Sequence, residues 1–481
     1  MTDALSLLNK QGIKPKSITA DSRQIKAGSL FLAYPGEAAD GRSYIAQAIA
    51  QGAAAVLWEQ SGFDWKPEWQ LPNFPVSGLR TEAGYIADDF FGQPSQQLWM
   101  VGVTGTNGKT SCSHWLAQAI TAIDRKTAVI GTLGNGYPGA LSHAINTTPD
   151  PILLHGMLAD YHRQGAAAVA MEVSSHGLEQ GRVNGVHFDV ALFTNLTRDH
   201  LDYHGDMQSY AAAKRKLFDW PGLRSSVLNI DDAFGREVAV ALRQQGQQVL
   251  TYGLDDGDVR GVALQFDEQG LSMHVDTPYG STEVKAALLG RFNAYNLLAV
   301  LATLLVSNVS LEQAVSAVAN IRPVSGRMQQ LGGGNKPLVV IDYAHTPDAL
   351  EKVLVALREQ GKGRLLCVFG CGGNRDAGKR SIMGALASHL ADSVIVTSDN
   401  PRHENPDDII AEIVAGIKGN CHVEPDRATA IKLAVNMAQT GDIVLVAGKG
   451  HEDYQEIAGV RHHFSDQETV ALVLKQYGGV V

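Results

Sequence analysis

Leu98-Trp-Met-Val-Gly-Val-Thr-Gly-Thr-Asn-Gly-Lys-Thr-Ser111 is an apolar run that ends in a glycine-rich turn carrying Lys109 and Thr110. A nucleoside triphosphate is held by backbone N–H groups aimed at its oxygens, and Gly105 and Gly108 leave room for that close approach. Lys109 adds mobile positive charge, and the Thr110 hydroxyl suits Mg²⁺. From Cys112 to Ile123, the residues Trp115, Leu116, Ala119, Ile120 and Ile123 share one helical stripe. The phosphates would then meet a helix N-terminus, where unpaired N–H groups and the macrodipole favour anions. The strict phosphate-loop pattern has glycine where this chain has Val103. An ordinary glycine-bearing strand-to-helix turn is the alternative, but Gly-Lys-Thr between a strand and a helix favours phosphate.

With 481 residues the chain is too long for one core, and two to four domains are expected. Its 44% apolar and 19% charged residues are those of an ordinary globular protein. A net charge of −10 argues against nucleic acid or an anionic membrane as partner, so anionic ligands must be held by local clusters of Lys and Arg. The four cysteines show no zinc-type spacing, and their scarcity fits a reducing cytosol. The first residues lack the basic and apolar regions of a leader, and no run of 18 or more apolar residues occurs, so a cytoplasmic protein is expected.

Residues 1 to 93 combine short apolar runs (Leu30 to Ala33, Ala53 to Leu57) with a helical stretch from Tyr44 to Ala50, which predicts a small α/β domain. Residues 92 to 96 read as a linker. From 94 to 324, apolar runs of four to eight residues alternate with helical patterns, the mark of a mainly parallel buried sheet of the phosphate-loop type. Alternation between Val259 and Leu289 predicts an antiparallel meander, followed by a helix from Asn293 to Ser307. Residues 325 to 481 repeat the strand–helix alternation as a C-terminal Rossmann-like doubly wound domain, with runs at Leu338 to Ile341, Leu365 to Phe369, Ser393 to Thr397 and Ile443 to Val446. The fold class is therefore α/β with three domains.

Binding loops in such sheets lie beyond the carboxyl ends of strands, where Asp342 to His345, Gly370 to Arg375, Asp399 to Arg402 and Gly448 to Glu452 fall. Glu172 ends an apolar strand and is placed to hold Mg²⁺; pairing with an arginine is the bland alternative. His200, in Asn195 to His204, is a second candidate cation ligand, although a lone histidine is more often structural. Lys214 carries no role by itself. Arg375, Lys379 and Arg402 put three cations on strand-end loops of an acidic protein, a receptor for a carboxylate-rich substrate.

Gly105 to Thr110, Asn146-Thr-Thr-Pro-Asp150, Glu172 to Arg182, Asn195 to His204, Asn293-Ala-Tyr-Asn296, Gly326-Arg327, Asp342 to Asp348 and Asp399-Asn-Pro-Arg402 together resemble the Mur ligase family over essentially the whole chain. These are ATP-dependent amide-forming enzymes of peptidoglycan synthesis. In that family the phosphate loop begins at the glycine equivalent to Gly105, which accounts for Val103. Asp-Asn-Pro-Arg is similar to the motif of members that take meso-2,6-diaminopimelate. Folylpolyglutamate synthase shares the glycine-lysine loop but not Asn146 to Asp150 with Asp399 to Arg402, and lysine-adding relatives differ at the latter. A nucleotide-driven binding module is the reading from another class.

The resemblance implies that Ser22, Glu37, Ala38, Ala39, Asn146, Thr147, Thr148, Ser174, Gln180 and Arg182 hold UDP-N-acetylmuramoyl-L-alanyl-D-glutamate. ATP would be bound by Gly105, Thr106, Asn107, Gly108, Lys109 and Thr110, with Asn293, Asn296, Arg327 and Asp342. Mg²⁺ would be bound by Thr110, Glu172, His200 and Lys214, the last matching the lysine that the family carbamylates. Lys109, Glu172, His200 and Lys214 form the implied catalytic set. Diaminopimelate would be held by Arg375, Asp399, Asn400, Pro401, Arg402, Gly448 and Glu452. The Leu-Asp-Ser-Arg of relatives is Ala20-Asp-Ser-Arg23 here. A monomer is expected, with no nucleic-acid partner and no membrane insertion.

Overall fold

The structure is a computed structural model that describes residues 3–37, 39–267, 270–360 and 363–477. Its residues gather into two compact units, one of 1–104, 120–192 and 213–226, the other of 105–119, 193–212 and 227–481. No helix among the described residues is long and apolar enough to cross a membrane.

In the first unit, four parallel strands lie in chain order: Ser17–Thr19, Ser29–Ala33, Ala55–Glu59 and Asn73–Val76. The two inner strands are wholly buried, so both faces must be apolar. Leu30, Leu32 and Leu57 meet Leu79 and Ile86 of the helix Leu79–Phe90, whereas Phe31, Val56 and Trp58 meet Ile45 and Ala48. Pro75 suits the last strand to an edge, where a missing N–H costs no ladder bond. The same unit holds Trp99–Thr104, flanked in parallel by Ala168–Glu172, which in turn pairs with Thr127–Gly131.

The stretch read as a linker is a packed turn. Pro94–Gln97 is a 3-10 helix with Pro94 and Ser95 buried, and Ser95 Oγ accepts from the N–H of His187 at 3.0 Å. Its proline and polar residues signal a turn correctly, but burial depends on a partner 92 residues away.

In the second unit, the alternating segment folds as the antiparallel strands Val259–Asp267, Gly270–Thr277 and Gly280–Ala286. The helix Arg291–Val306 follows, apolar on nearly every side and buried accordingly. The last sheet runs in the order Gln329–Gly332, Leu338–Asp342, Ile443–Ala447, Leu365–Phe369, Ser393–Val396 and His422–Val423, parallel except at its first strand. Val340, Cys367 and Leu445 pack on one layer of helices, and Val339, Ile341 and Val444 on another, which is a doubly wound domain.

Candidate active site

The glycine-rich loop spans the four residues between the strand ending at Thr104 and the helix Lys109–Ala122. Gly105 has φ +148°, and a Cβ there would run into Thr194 Oγ1; Gly108 has φ +86°, and its Cβ would lie 2.5 Å from Asn296 Oδ1. Both positions therefore need glycine for space as well as conformation. The loop is pinned by its neighbours: Asn107 donates its N–H to Asn195 Oδ1 at 3.0 Å, while its carbonyl accepts from Thr194 Oγ1 and Asn195 Nδ2. The Thr106 hydroxyl lies between Thr197 O and the Tyr210 hydroxyl. Lys109 Nζ donates to Gly105 O and Thr106 O, both at 2.9 Å.

Around this loop the second unit gathers the expected nucleotide groups. Asn293 and Asn296 are buried one helical turn apart and joined at 3.1 Å. Arg327 Nη2 donates to Thr110 Oγ1 at 3.2 Å, and its guanidinium lies over the Tyr343 ring at 4.4 Å. Asp342 accepts from the N–H groups of Met328 and Ala344, both at 2.8 Å, which fixes the turn bearing Arg327; burial pushes its carboxyl above the usual range. Asp348 joins them, accepting from Asn107 Nδ2 and Lys352 Nζ. A glycine cradle at a helix N-terminus with two nearby cations fits a polyphosphate.

His200 has φ +55° and is half exposed, 3.4 Å from Asp199. Burial alone would raise the Asp199 carboxyl, but His200, His345 and Lys379 hold it below the usual range. Burial pushes the His345 imidazole down to about 4. Lys379, expected with Arg375 and Arg402 to form a carboxylate receptor, donates to His345 O at 2.8 Å.

At the ends of the strands Ser393–Val396 and Ile443–Ala447, Asn400 Nδ2 donates to Glu452 Oε2 at 2.8 Å, and a Cβ on Gly448 would lie 2.5 Å from Asp399 Oδ2. Burial, then the charge of Asp399, raises the Glu452 carboxyl. Lys449, fully buried, donates to Asn400 Oδ1 and Glu452 Oε2. Arg402 takes φ +53°, donates Nη1 to Gly373 O at 2.7 Å and lies 3.6 Å from Glu456 Oε2. A Cβ on Gly373 would strike Pro401 O, so the two loops touch through backbone. Arg375 is exposed at the rim. Lys449 and Glu456 were not singled out from sequence: Lys449 lies inside a quoted loop, but nothing in its neighbours signals burial.

In the first unit, Glu172 is buried and accepts from Thr132 N at 2.8 Å and Thr132 Oγ1 at 3.1 Å. The Thr132 hydroxyl also meets Thr147 Oγ1 at 3.0 Å. Thr148 Oγ1 donates to Glu172 O, and Ser174 N donates to Thr148 Oγ1. Arg182 donates to Thr148 O and Gln180 Oε1, and Gln180 Nε2 reaches Glu37 Oε1 at 2.6 Å. Polar groups therefore run without a break from Glu37 to Glu172. Arg80, unremarked in the sequence, joins at Glu37. Ser22 is buried and donates to Gln47; Ala39 and Asn146 are exposed, and Ala38 lies outside the described residues. Lys214 is buried. Among the described residues, no three His, Cys, Asp or Glu side chains gather as a metal site.

Three family descriptions match: "Mur ligase family, catalytic domain" over residues 14–90, "Mur ligase middle domain" over 103–304, and "Mur ligase, glutamate ligase domain" over 326–450. The chain is 55% identical over 477 residues to the UDP-N-acetylmuramoyl-L-alanyl-D-glutamate--2,6-diaminopimelate ligase of Chromobacterium violaceum, covering 98% of this chain and 97% of that one. It is 50% identical to the protein of that name from Nitrosomonas europaea, covering 99% and 96%. A solved structure of a ligase of that name superposes with a TM-score of 0.71 at 38% identity, covering 97% of this chain and 96% of the other. The glycine-rich loop, the polar chain ending at Glu172 and the Asp-Asn-Pro-Arg loop thus lie in a protein that belongs to the Mur ligase family.

Proposed function

We propose that this chain joins meso-2,6-diaminopimelate to the D-glutamyl side-chain carboxylate of UDP-N-acetylmuramoyl-L-alanyl-D-glutamate at the expense of ATP, in the cytoplasm, for peptidoglycan synthesis. The supporting domain division is 1–93 for the nucleotide-sugar peptide, 94–324 for ATP and 325–481 for the amino acid. The carrying observation is the Asp399 to Arg402 loop, in which Asn400 is tied to Lys449 and Glu452 and Arg402 donates Nη1 to Gly373 O. Diaminopimelate has one more carboxylate than lysine, and a guanidinium fork matches it.

The chemistry brings two anions together: a carboxylate attacks the γ-phosphorus, the bond to the ADP oxygen breaks, and an acyl phosphate results. Lys109, the helix N-terminus behind it and Arg327 offset the repulsion and stabilise the charge on the moving phosphoryl group. The amine of diaminopimelate then adds to the acyl carbon, loses a proton and expels phosphate from the tetrahedral intermediate. Ser174, Gln180 and Arg182 orient the peptide end of the nucleotide sugar. Mg²⁺, where held by Thr110, Glu172, His200 and a carbamylated Lys214, would supply further positive charge to the phosphates.

Mass analysis of the product with diaminopimelate or lysine as the amine tests this reading. The wild-type chain is expected to form tripeptide with diaminopimelate and far less with lysine. Arg402→Ala should lose about 2–5 kcal/mol of diaminopimelate recognition and most of that preference. A wild-type preference for lysine would overturn the assignment.

A further inference from the structure

Arg427 and Asp466 form an ion pair with no solvent exposure in the last domain. Each opens a helix, Arg427–Met437 and Asp466–Gln476, whose apolar faces cover one side of the sheet. The pairing is a fork on a carboxylate: Nε to Oδ1 at 2.7 Å and Nη2 to Oδ2 at 2.8 Å. The remaining donors are directed at main chain. Nη2 also donates to Ala447 O at 2.9 Å, and Nη1 to Ser398 O at 3.4 Å.

Those two carbonyls immediately precede Asp399 and Gly448. They belong to different strand ends, and one guanidinium spans them. The acids beyond are close enough to act on it electrically: burial works against the Arg427 charge, but Asp466, Asp399 and Glu452 hold its pKa above the ordinary value. A buried pair of this kind is weak ground for stability, because apolar side chains of similar volume often do as well or better. A lysine places its donors on one nitrogen and cannot reach an aspartate and two carbonyls at separate strand ends.

We propose that Arg427, oriented by Asp466, is a positioning residue that sets the spacing of the Asp399–Arg402 and Gly448–Glu452 loops and so tunes the site for the amino-acid substrate. This rests on the diaminopimelate reading given above. Arg427 touches neither substrate nor reacting atoms; it acts through the backbone on Asp399, Asn400 and Glu452.

The test compares full-length wild type, Arg427→Lys, and the paired Arg427→Met with Asp466→Leu, which avoids stranding a buried charge. KM is measured for diaminopimelate, ATP and the nucleotide-sugar peptide, with kcat and the thermal midpoint. The expected result is a KM for diaminopimelate raised about ten- to a hundredfold in Arg427→Lys and in the paired variant. The other two KM values should stay within about twofold, and the paired variant should keep its thermal midpoint. An unchanged KM for diaminopimelate, with losses only in midpoint or kcat, would overturn the proposal and leave a core ion pair. Wild-type protein inactive with diaminopimelate would overturn the functional reading as well, so the two failures are distinguishable.

Discussion

Lys214 lies on the helix Met207–Arg215 and is 1% exposed, and Leu217 and Phe218 beyond it are fully buried. Spacings of four, three and one from Tyr210 make that shared face readable in the sequence, where partial burial is expected; the structure makes it complete. An ammonium held out of water needs a compensating anion or must lose its charge. Addition of the neutral amine to CO₂ gives a carbamate, a long carboxylate of the kind a hard cation prefers. Lys214→Ala should therefore lose most activity and regain part of it with added formate or acetate, and the wild type should weaken in CO₂-depleted buffer. Full activity without CO₂, together with no response to carboxylates, would return Lys214 to a packing role.

Helices reach the amino-acid loops through close backbone approach. Gly384 in Gly378–Leu390 has a neighbour in Ile413 O of Pro406–Val414, and Gly416 just beyond faces Ser381 O. That fit lets Arg380, buried near the start of the first helix, reach Glu404 at 2.8 Å and Glu412 at 3.0 Å. Alanine at 384 would gain about 1 kcal/mol of helix propensity but would put a methyl against a carbonyl that cannot swing away, at about 1–3 kcal/mol. The overlap should win, and urea unfolding of Gly384→Ala should show lower stability; equal or greater stability would contradict this packing. Such approaches explain what the sequence hides. Wholly apolar strands such as Leu365–Phe369 announce themselves, and so do the loops after them. Arg380 and Arg427 have no local sign of burial, because their acidic partners lie 24 and 32 residues away for the first and 39 for the second, and Lys449, though paired with Glu452 three residues on, also depends on Asn400, 49 residues away. The short strand Asn73–Val76 is masked by its proline, and Pro94–Gln97 by a partner only the fold supplies.

Across the whole chain, a net charge of −10 is set against substrates that are themselves anionic. In the proposed reaction the cations that would meet them are local: Lys109 and Arg327 at the glycine-rich loop, Arg182 beside Thr148, and Arg402 on the Asp399 to Arg402 loop. Each cluster belongs to a different ligand in the proposed reaction, which makes dependence on all three ligands its central claim. Phosphate release, followed while ATP, UDP-N-acetylmuramoyl-L-alanyl-D-glutamate and meso-2,6-diaminopimelate are omitted one at a time, tests it most directly. The account predicts sustained release only with all three present. Steady release without the amine or without the nucleotide-sugar peptide would contradict it and favour a nucleotide-driven module.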